Sequence, residues 1–117
     1  MSPHPIRSNL FDLPADFYAP PTGPELFETL LSTPGLKVER ILSRGHTTPD
    51  KEWYDQDQDE WVILLQGQAT LLFDDDSTTD LGPGDYLLIP AHTRHRVIHT
   101  STEPPCVWLA IHFSPTG

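Results

Sequence analysis

The fold is indicated most clearly by residues 84–99, GDYLLIPAHTRHRVIH, in which a Gly-Asp turn precedes two short runs rich in branched and aromatic residues. Pro90 and the polar residues that follow it separate the two runs. Short runs of this composition, bounded by Gly, Pro and Asp, are typical of strands rather than helices. The stretch therefore predicts two strands joined by a loop that carries histidine.

Short runs of branched and aromatic residues, separated by Gly, Pro and Asp, make up most of the chain after Gly35. Two polar stretches, 74–77 and 82–85, read as hairpin turns between such runs. Short strands at even spacing, with no second helical pattern, predict a small antiparallel β-barrel or sandwich that forms a single domain. The predicted strand segments are 36–44, 52–56, 60–66, 68–73, 78–81, 85–89, 94–100 and 106–113.

Residues 1–35 have a different composition and predict an N-terminal arm that ends in one short helix. Six of the thirteen prolines fall in the first 24 residues, where they block both helix and interior strand. Thr22 and Glu25 have the spacing of a helix-capping box, and Pro24 is tolerated in a first helical turn. The helical spacing of Leu26, Phe27, Leu30 and Leu31 then predicts a helix over residues 24–32.

Charge and composition exclude several classes of function. The chain has 117 residues and a net charge of −10, which opposes binding to nucleic acids and to anionic membrane surfaces. It contains no apolar stretch of about 20 residues that would cross a bilayer, and its N-terminus lacks the plan of a signal peptide. With only one cysteine, Cys106, it has no internal disulfide. These features predict a cytoplasmic protein that binds neither nucleic acid nor membranes.

Two stretches carry the best candidates for chemistry: residues 53–67, WYDQDQDEWVILLQG, and residues 84–99. Side chains alternate along a strand, so Glu60, Val62 and Leu64 are predicted to share one face, and His95, Val97 and His99 another. A Glu or His among interior apolar residues must be hydrogen-bonded, paired or bound to a metal. Imidazole and carboxylate together suit Zn, Fe, Ni or Mn.

The two stretches resemble the paired motifs of the cupin superfamily over residues 36–113. In the first motif, G-x5-H-x-H-x(3,4)-E-x6-G, Glu60 and Gly67 match the second half; in the second, G-x5-P-x-G-x2-H-x3-N, Gly84, Pro90 and His95 match. The resemblance implies a cupin-like antiparallel barrel, a double-stranded β-helix or jelly roll, which holds a divalent metal.

Carried over residue by residue, the resemblance implies that Glu60 and His95 are metal ligands. The two H-x-H positions fall on Tyr54 and Gln56, or on Trp53 and Asp55 with the longer spacing. We prefer the shorter spacing, because an amide or phenolic oxygen can still reach a metal. The ligand set that follows is Gln56, Glu60 and His95, with Tyr54 beside it. Compared with a site of three histidines, this set is expected to bind transition metals more weakly or to prefer harder ions. His99, two residues after His95, could restore one nitrogen ligand, and His46 and His112 are further candidates from neighbouring strands. Tyr54 or His99 is the expected acid or base.

Three functions follow from the resemblance as expectations. The first is a metal-dependent enzyme of the dioxygenase, isomerase or lyase type, which acts on a small oxygenated acid or sugar. The second is a barrel that binds a sugar or anion without turnover, as a sensor does. The third is a metal-free barrel whose site has decayed. The resemblance also implies a homodimer, in which the arm or an edge strand covers the partner.

Overall fold

A computed structural model describes residues 5–18 and 23–114. Ala15–Tyr18 form a short 3₁₀ helix, and the rest of the regular structure consists of antiparallel strands. The eight strands within the described residues are β1 (Leu26–Thr33), β2 (Leu36–Ser43), β3 (Asp59–Gln66), β4 (Ala69–Phe73), β5 (Thr78–Leu81), β6 (Tyr86–Ile89), β7 (His95–Thr100) and β8 (Cys106–Phe113).

The strands form two sheets, in a jelly-roll arrangement rather than one closed barrel. The five-stranded sheet has the order β1-β2-β8-β3-β6, and the three-stranded sheet has the order β5-β4-β7. Seven of the eight predicted segments are strands, which confirms the all-β expectation. The eighth, 52–56, contributes a single bridge, from Tyr54 to His95.

The core lies between the two sheets, where inward-facing side chains of both meet. On β3, Val62 and Leu64 are buried beside Glu60, as the alternation predicts. Leu71 of β4 supplies the facing side chain from the other sheet. The buried core residues are Val62, Leu64, Ala69, Leu71, Leu81, Ile89, Cys106, Trp108 and Ala110. Burial of these apolar side chains is the main force that holds the sheets together.

The predicted helix over residues 24–32 is wrong, because this segment is the edge strand β1. It pairs with β2 from Leu26 opposite Leu42 to Thr33 opposite Leu36, and Gly35, at φ +82°, makes the turn between them. Pairing along a whole neighbouring strand outweighs a helical pattern of four apolar residues. Thr22, the predicted cap, lies outside the described residues. Among those described, no helix is long and apolar enough to cross a membrane.

The described part of the arm is held on the outer face of the five-stranded sheet. Phe17 is buried against Leu42 and Val107. Nη1 of Arg40 donates to the carbonyl oxygens of Leu10 and Asp12, at 3.0 and 2.9 Å. The same guanidinium binds both carboxylate oxygens of Glu28 on β1. Arg40 therefore ties the arm and the edge strand to β2, while its neighbour Glu39 faces the other way, into the space between the sheets.

Candidate functional site

A cavity of about 80 Å³ opens between the two sheets. This is room for a few water molecules or for the reacting end of a small ligand. Apolar side chains from both sheets form its walls: Ile41, Val62, Leu71, Ile89, Val97 and Trp108. The polar groups that converge on it are Glu25, Glu39, Tyr54, Gln56, Glu60, His95 and His112. An apolar pocket with a few convergent polar groups is the usual form of a small-molecule site.

Glu60 and His95 face each other across this cavity. Both side chains are buried, and Nε2 of His95 lies 3.8 Å from Oε1 of Glu60. Nδ1 of His95 donates a hydrogen bond to the carbonyl oxygen of Thr93 at 2.8 Å. In the neutral ring this bond leaves Nε2 as an acceptor beside a carboxyl group. Nε2 of His95 and the carboxyl group of Glu60 therefore present neighbouring polar atoms to the cavity.

Glu39 and His112 form a second pair on the same wall. Nε2 of His112 donates to Oε1 of Glu39 at 2.9 Å, and both side chains are buried. His112 on β8 is also the register partner of Glu60 on β3. The four side chains therefore alternate as Glu39, His112, Glu60 and His95 from one side of the cavity to the other.

The environments of the two glutamates shift their pKa values in opposite directions. The hydrogen bond from His112 lowers the pKa of Glu39, with a smaller contribution from Lys37, whose Nζ lies 3.6 Å from Oε2. Burial raises the pKa of Glu60, although His112 and His95 partly oppose the shift. Two nearby carboxyl groups with separated pKa values are suited to divide acid and base roles. Burial also raises the pKa of Tyr54, so its hydroxyl remains a hydrogen-bond donor.

The structure brings four of the five predicted site residues together. Tyr54, Gln56, Glu60 and His95 all line the cavity, and the rings of Tyr54 and His95 are 5.5 Å apart. The lining also includes His112, which the sequence offered as a further candidate ligand from a neighbouring strand. Glu39 was missed by sequence reasoning. The available signal was its position in β2, a carboxylate two residues before Ile41 on the same strand face.

His99 is exposed and lies outside the cavity, so the prediction that it shares a face with His95 and Val97 is wrong. Thr70 of β4 pairs with His99 and Leu71 pairs with Val97, which leaves Ile98 as one extra residue on β7. This β-bulge reverses the alternation, because an unpaired residue moves every later side chain to the other face. Thr100 is buried in place of His99. His46 is bonded to the backbone of Arg44 and Gly23, away from these residues.

The donors on the cavity wall do not form a metal site. Among the described residues there is no group of three or more His, Cys, Asp or Glu side chains arranged to hold a metal ion. Glu60 and His95 supply two donors, but Nε2 of His112 already donates to Glu39. A stable site for a transition metal needs at least three protein ligands. The paired Glu39 and His112 would have to separate to complete one.

Comparison with known proteins places the chain by sequence and by fold. The profile of the family described as "Cupin domain" matches residues 40–112. Comparison with curated proteins finds no significant match.

Among solved structures, a candidate mannose-6-phosphate isomerase of Ralstonia eutropha JMP134 is 44% identical, with a TM-score of 0.85 over 95% of this chain and 100% of that one. A cupin superfamily protein of Desulfitobacterium hafniense DCB-2 is 24% identical, with a TM-score of 0.66 over 79% of each chain. An RmlC-like cupin of Methanocaldococcus jannaschii with a double-stranded β-helix fold is 16% identical, with a TM-score of 0.64 over 78% and 81% of the two chains. The last two show the fold alone. The family match over residues 40–112 shows that this protein belongs to the cupin superfamily, and the two facing sheets agree with that family's fold.

Proposed function

We propose that this cupin is an isomerase that moves a proton between neighbouring carbons of a small hydroxy-carbonyl compound. The observation that carries the proposal is the pair of cavity glutamates with oppositely shifted pKa values, each placed against a histidine. The name of the 44% identical Ralstonia eutropha protein supports a sugar as the substrate class.

Glu60 is the residue we assign to proton transfer. As a carboxylate it would take the proton from the carbon next to the carbonyl group, and the electron pair of that C–H bond would form the C=C bond of an enediol. The carbonyl oxygen gains a proton from Nε2 of His95 in the same step. The isomerisation is completed when the proton on Glu60 returns to the adjacent carbon, while the other hydroxyl group of the enediol gives its proton back to Nε2 of His95 and becomes the new carbonyl group. A raised pKa brings the carboxyl group closer to the working pH, where a general base is most efficient.

His95 and Tyr54 are the groups we assign to the substrate oxygens. Nε2 of His95, when protonated, donates to the carbonyl oxygen, and the Tyr54 hydroxyl donates to a neighbouring oxygen. The bridge between the two residues holds their backbones together, since Tyr54 N donates to His95 O at 2.8 Å. Glu39 remains ionised and keeps the His112 ring in place. The apolar walls limit the water around these groups and strengthen their electrostatic effect.

The divalent metal that the resemblance implies has no step in this proposal, since its expected ligands Gln56, Glu60 and His95 do not form a complete donor set with the histidines present. A homodimer, a cytoplasmic location and the absence of nucleic-acid or membrane binding stay predictions from the sequence. Light scattering at known concentration would test the dimer.

The experiment that tests the proposal is solvent exchange followed by NMR. Purified protein is incubated in D₂O with a panel of free aldoses and ketoses, and deuterium at the carbon next to the carbonyl group is measured. We expect exchange with at least one sugar, and a loss of about 10²-fold or more in Glu60→Gln. Exchange that persists in Glu60→Gln, or none with any sugar, contradicts the proposal. Sugar binding without exchange would identify a binding protein instead.

A further inference from the structure

The polar wall of the cavity is acidic and lacks a permanent cation. Three carboxyl groups line it, those of Glu25, Glu39 and Glu60. Within residues 5–18 and 23–114, no lysine or arginine is among the lining side chains. The two histidines that line it are each placed against a glutamate.

The two cations of β2, the strand that carries Glu39, are already paired. Nζ of Lys37 lies 3.6 Å from Oε2 of Glu39 and is partly exposed. The Arg40 guanidinium lies on the opposite face of the sheet, where both of its bonds to carboxylate go to Glu28. A ligand anion that entered the cavity would therefore meet three carboxyl groups without gaining a lysine or arginine of its own.

We propose that the cavity accepts an uncharged hydroxy-carbonyl compound, such as a free sugar, and excludes phosphate monoesters and small carboxylic acids. This inference rests on the proposed function and narrows its substrate class. An anion that leaves water for a partly apolar cavity loses hydration, and the loss is recovered only by a cation or several donors. Repulsion from nearby carboxylates adds to this cost.

The same wall suits the hydroxyl groups of a neutral sugar. Carboxylates accept hydrogen bonds from hydroxyl groups, and the Gln56 amide offers both donors and an acceptor. Trp108 and Phe27 add aromatic surface. Glu25 is oriented for this role, because it accepts a hydrogen bond from Ser43 Oγ, which in turn accepts one from Trp108 Nε1 at 3.2 Å. The uncharged ligand proposed for this protein differs from mannose 6-phosphate, the phosphorylated sugar in the name of the Ralstonia eutropha protein.

Calorimetric titration with free mannose, mannose 6-phosphate and inorganic phosphate tests the inference. We expect wild-type protein to bind the free sugar at least about tenfold more tightly than the phosphate ester. Glu25→Lys places a cation at the cavity and should narrow or reverse this preference. Asp16→Lys is the matched control, since it changes the net charge equally but lies exposed on the arm, across the sheet from the cavity. It should leave the preference unchanged.

Three results would overturn the inference: equal or tighter binding of the phosphate ester by wild-type protein, an equal effect of both lysine variants, or no binding of the free sugar. The exchange experiment separates this inference from the proposed function. Exchange that depends on Glu60 but is faster with the phosphate ester would sustain the isomerase and overturn the inference. Tight binding of the free sugar without exchange would sustain the inference about ligand charge and overturn the proposed isomerase activity.

Discussion

The Nε2 atom of His112 on β8 lies 2.9 Å from Oε1 of Glu39 on β2, and both side chains are buried. This contact joins neighbouring strands of the five-stranded sheet, and His112 is also the register partner of Glu60 on β3. It also explains why two glutamates on one cavity wall differ in pKa: Glu39 receives the hydrogen bond and Glu60 is mainly desolvated. The pairing therefore sets the electrostatic asymmetry on which the proposed chemistry depends.

The two glutamates should affect stability with opposite dependence on pH. The lowered pKa of Glu39 stabilises the fold above the ordinary value of 4.5, and this contribution is lost as pH falls through the folded value. The raised pKa of Glu60 acts in the other direction: its contribution is present below 4.5 and is lost as pH rises through the folded value. We expect Glu60→Gln to raise the Tm at pH 8. We expect Glu39→Ala to lower the free energy of unfolding by about 2 kcal/mol, because it leaves His112 without its hydrogen-bond acceptor.

Thermal unfolding of both variants between pH 4 and pH 8 measures these effects. The Tm difference between Glu60→Gln and wild type should shrink as the pH is lowered, because the wild-type carboxyl group becomes protonated. A Tm that is lower in Glu60→Gln at pH 8 would contradict the assigned direction of the Glu60 shift.

His95 and His99 lie on the same strand and should respond differently to substitution. We expect His95→Ala to reduce exchange by about 10²-fold or more, because it removes the group that faces Glu60. His99→Ala should retain wild-type exchange, because the bulge at Ile98 places this side chain in solvent. Rates for both variants are measured by the NMR assay, with circular dichroism as the control for folding. A comparable loss in His99→Ala would show that the bulge does not separate the two histidines.

Gly67 and Gly84, the two glycines of the motifs, should differ in their tolerance of alanine. Both have positive φ, of +95° and +91°, which costs a side chain about 1 kcal/mol or more. A Cβ at Gly67 would also lie 2.8 Å from Cys106 Sγ, whereas one at Gly84 meets nothing within 4 Å. We expect Gly67→Ala to cost about 3 kcal/mol and Gly84→Ala about 1 kcal/mol. Urea unfolding measures both, and equal costs would remove the crowding argument.

Metal binding should be weak in the arrangement observed. Glu60 and His95 offer two donors while His112 is held by Glu39, so we expect well under one equivalent of Fe, Ni, Mn or Zn in protein purified without a tag or chelator. Elemental analysis of wild type and His95→Ala measures this. A stoichiometric metal that disappears in His95→Ala would show that the four side chains rearrange to bind it.

Much of the candidate site could be predicted because motif spacing depends only on residues close together in the sequence. Glu60 and His95 match the motif spacing, and both line the cavity. Glu39 could not be recognised in the same way, since its role depends on β2 lying beside β8 and on His112 reaching it. His99 was misplaced because alternation along a strand holds only while the pairing is regular, and nothing in HRVIHT marks the extra residue.

The sequence by itself determined the all-β class, seven of the eight strands and the cupin motifs, because strand composition and turn residues act over a few neighbouring positions. Tertiary structure alone decided that residues 26–33 are a strand, since the edge of β2 offered backbone partners to all of them except Leu30. It also decided which charged groups share the cavity. That outcome depends on strand order, register and one bulge, which are set by contacts between residues far apart in the chain.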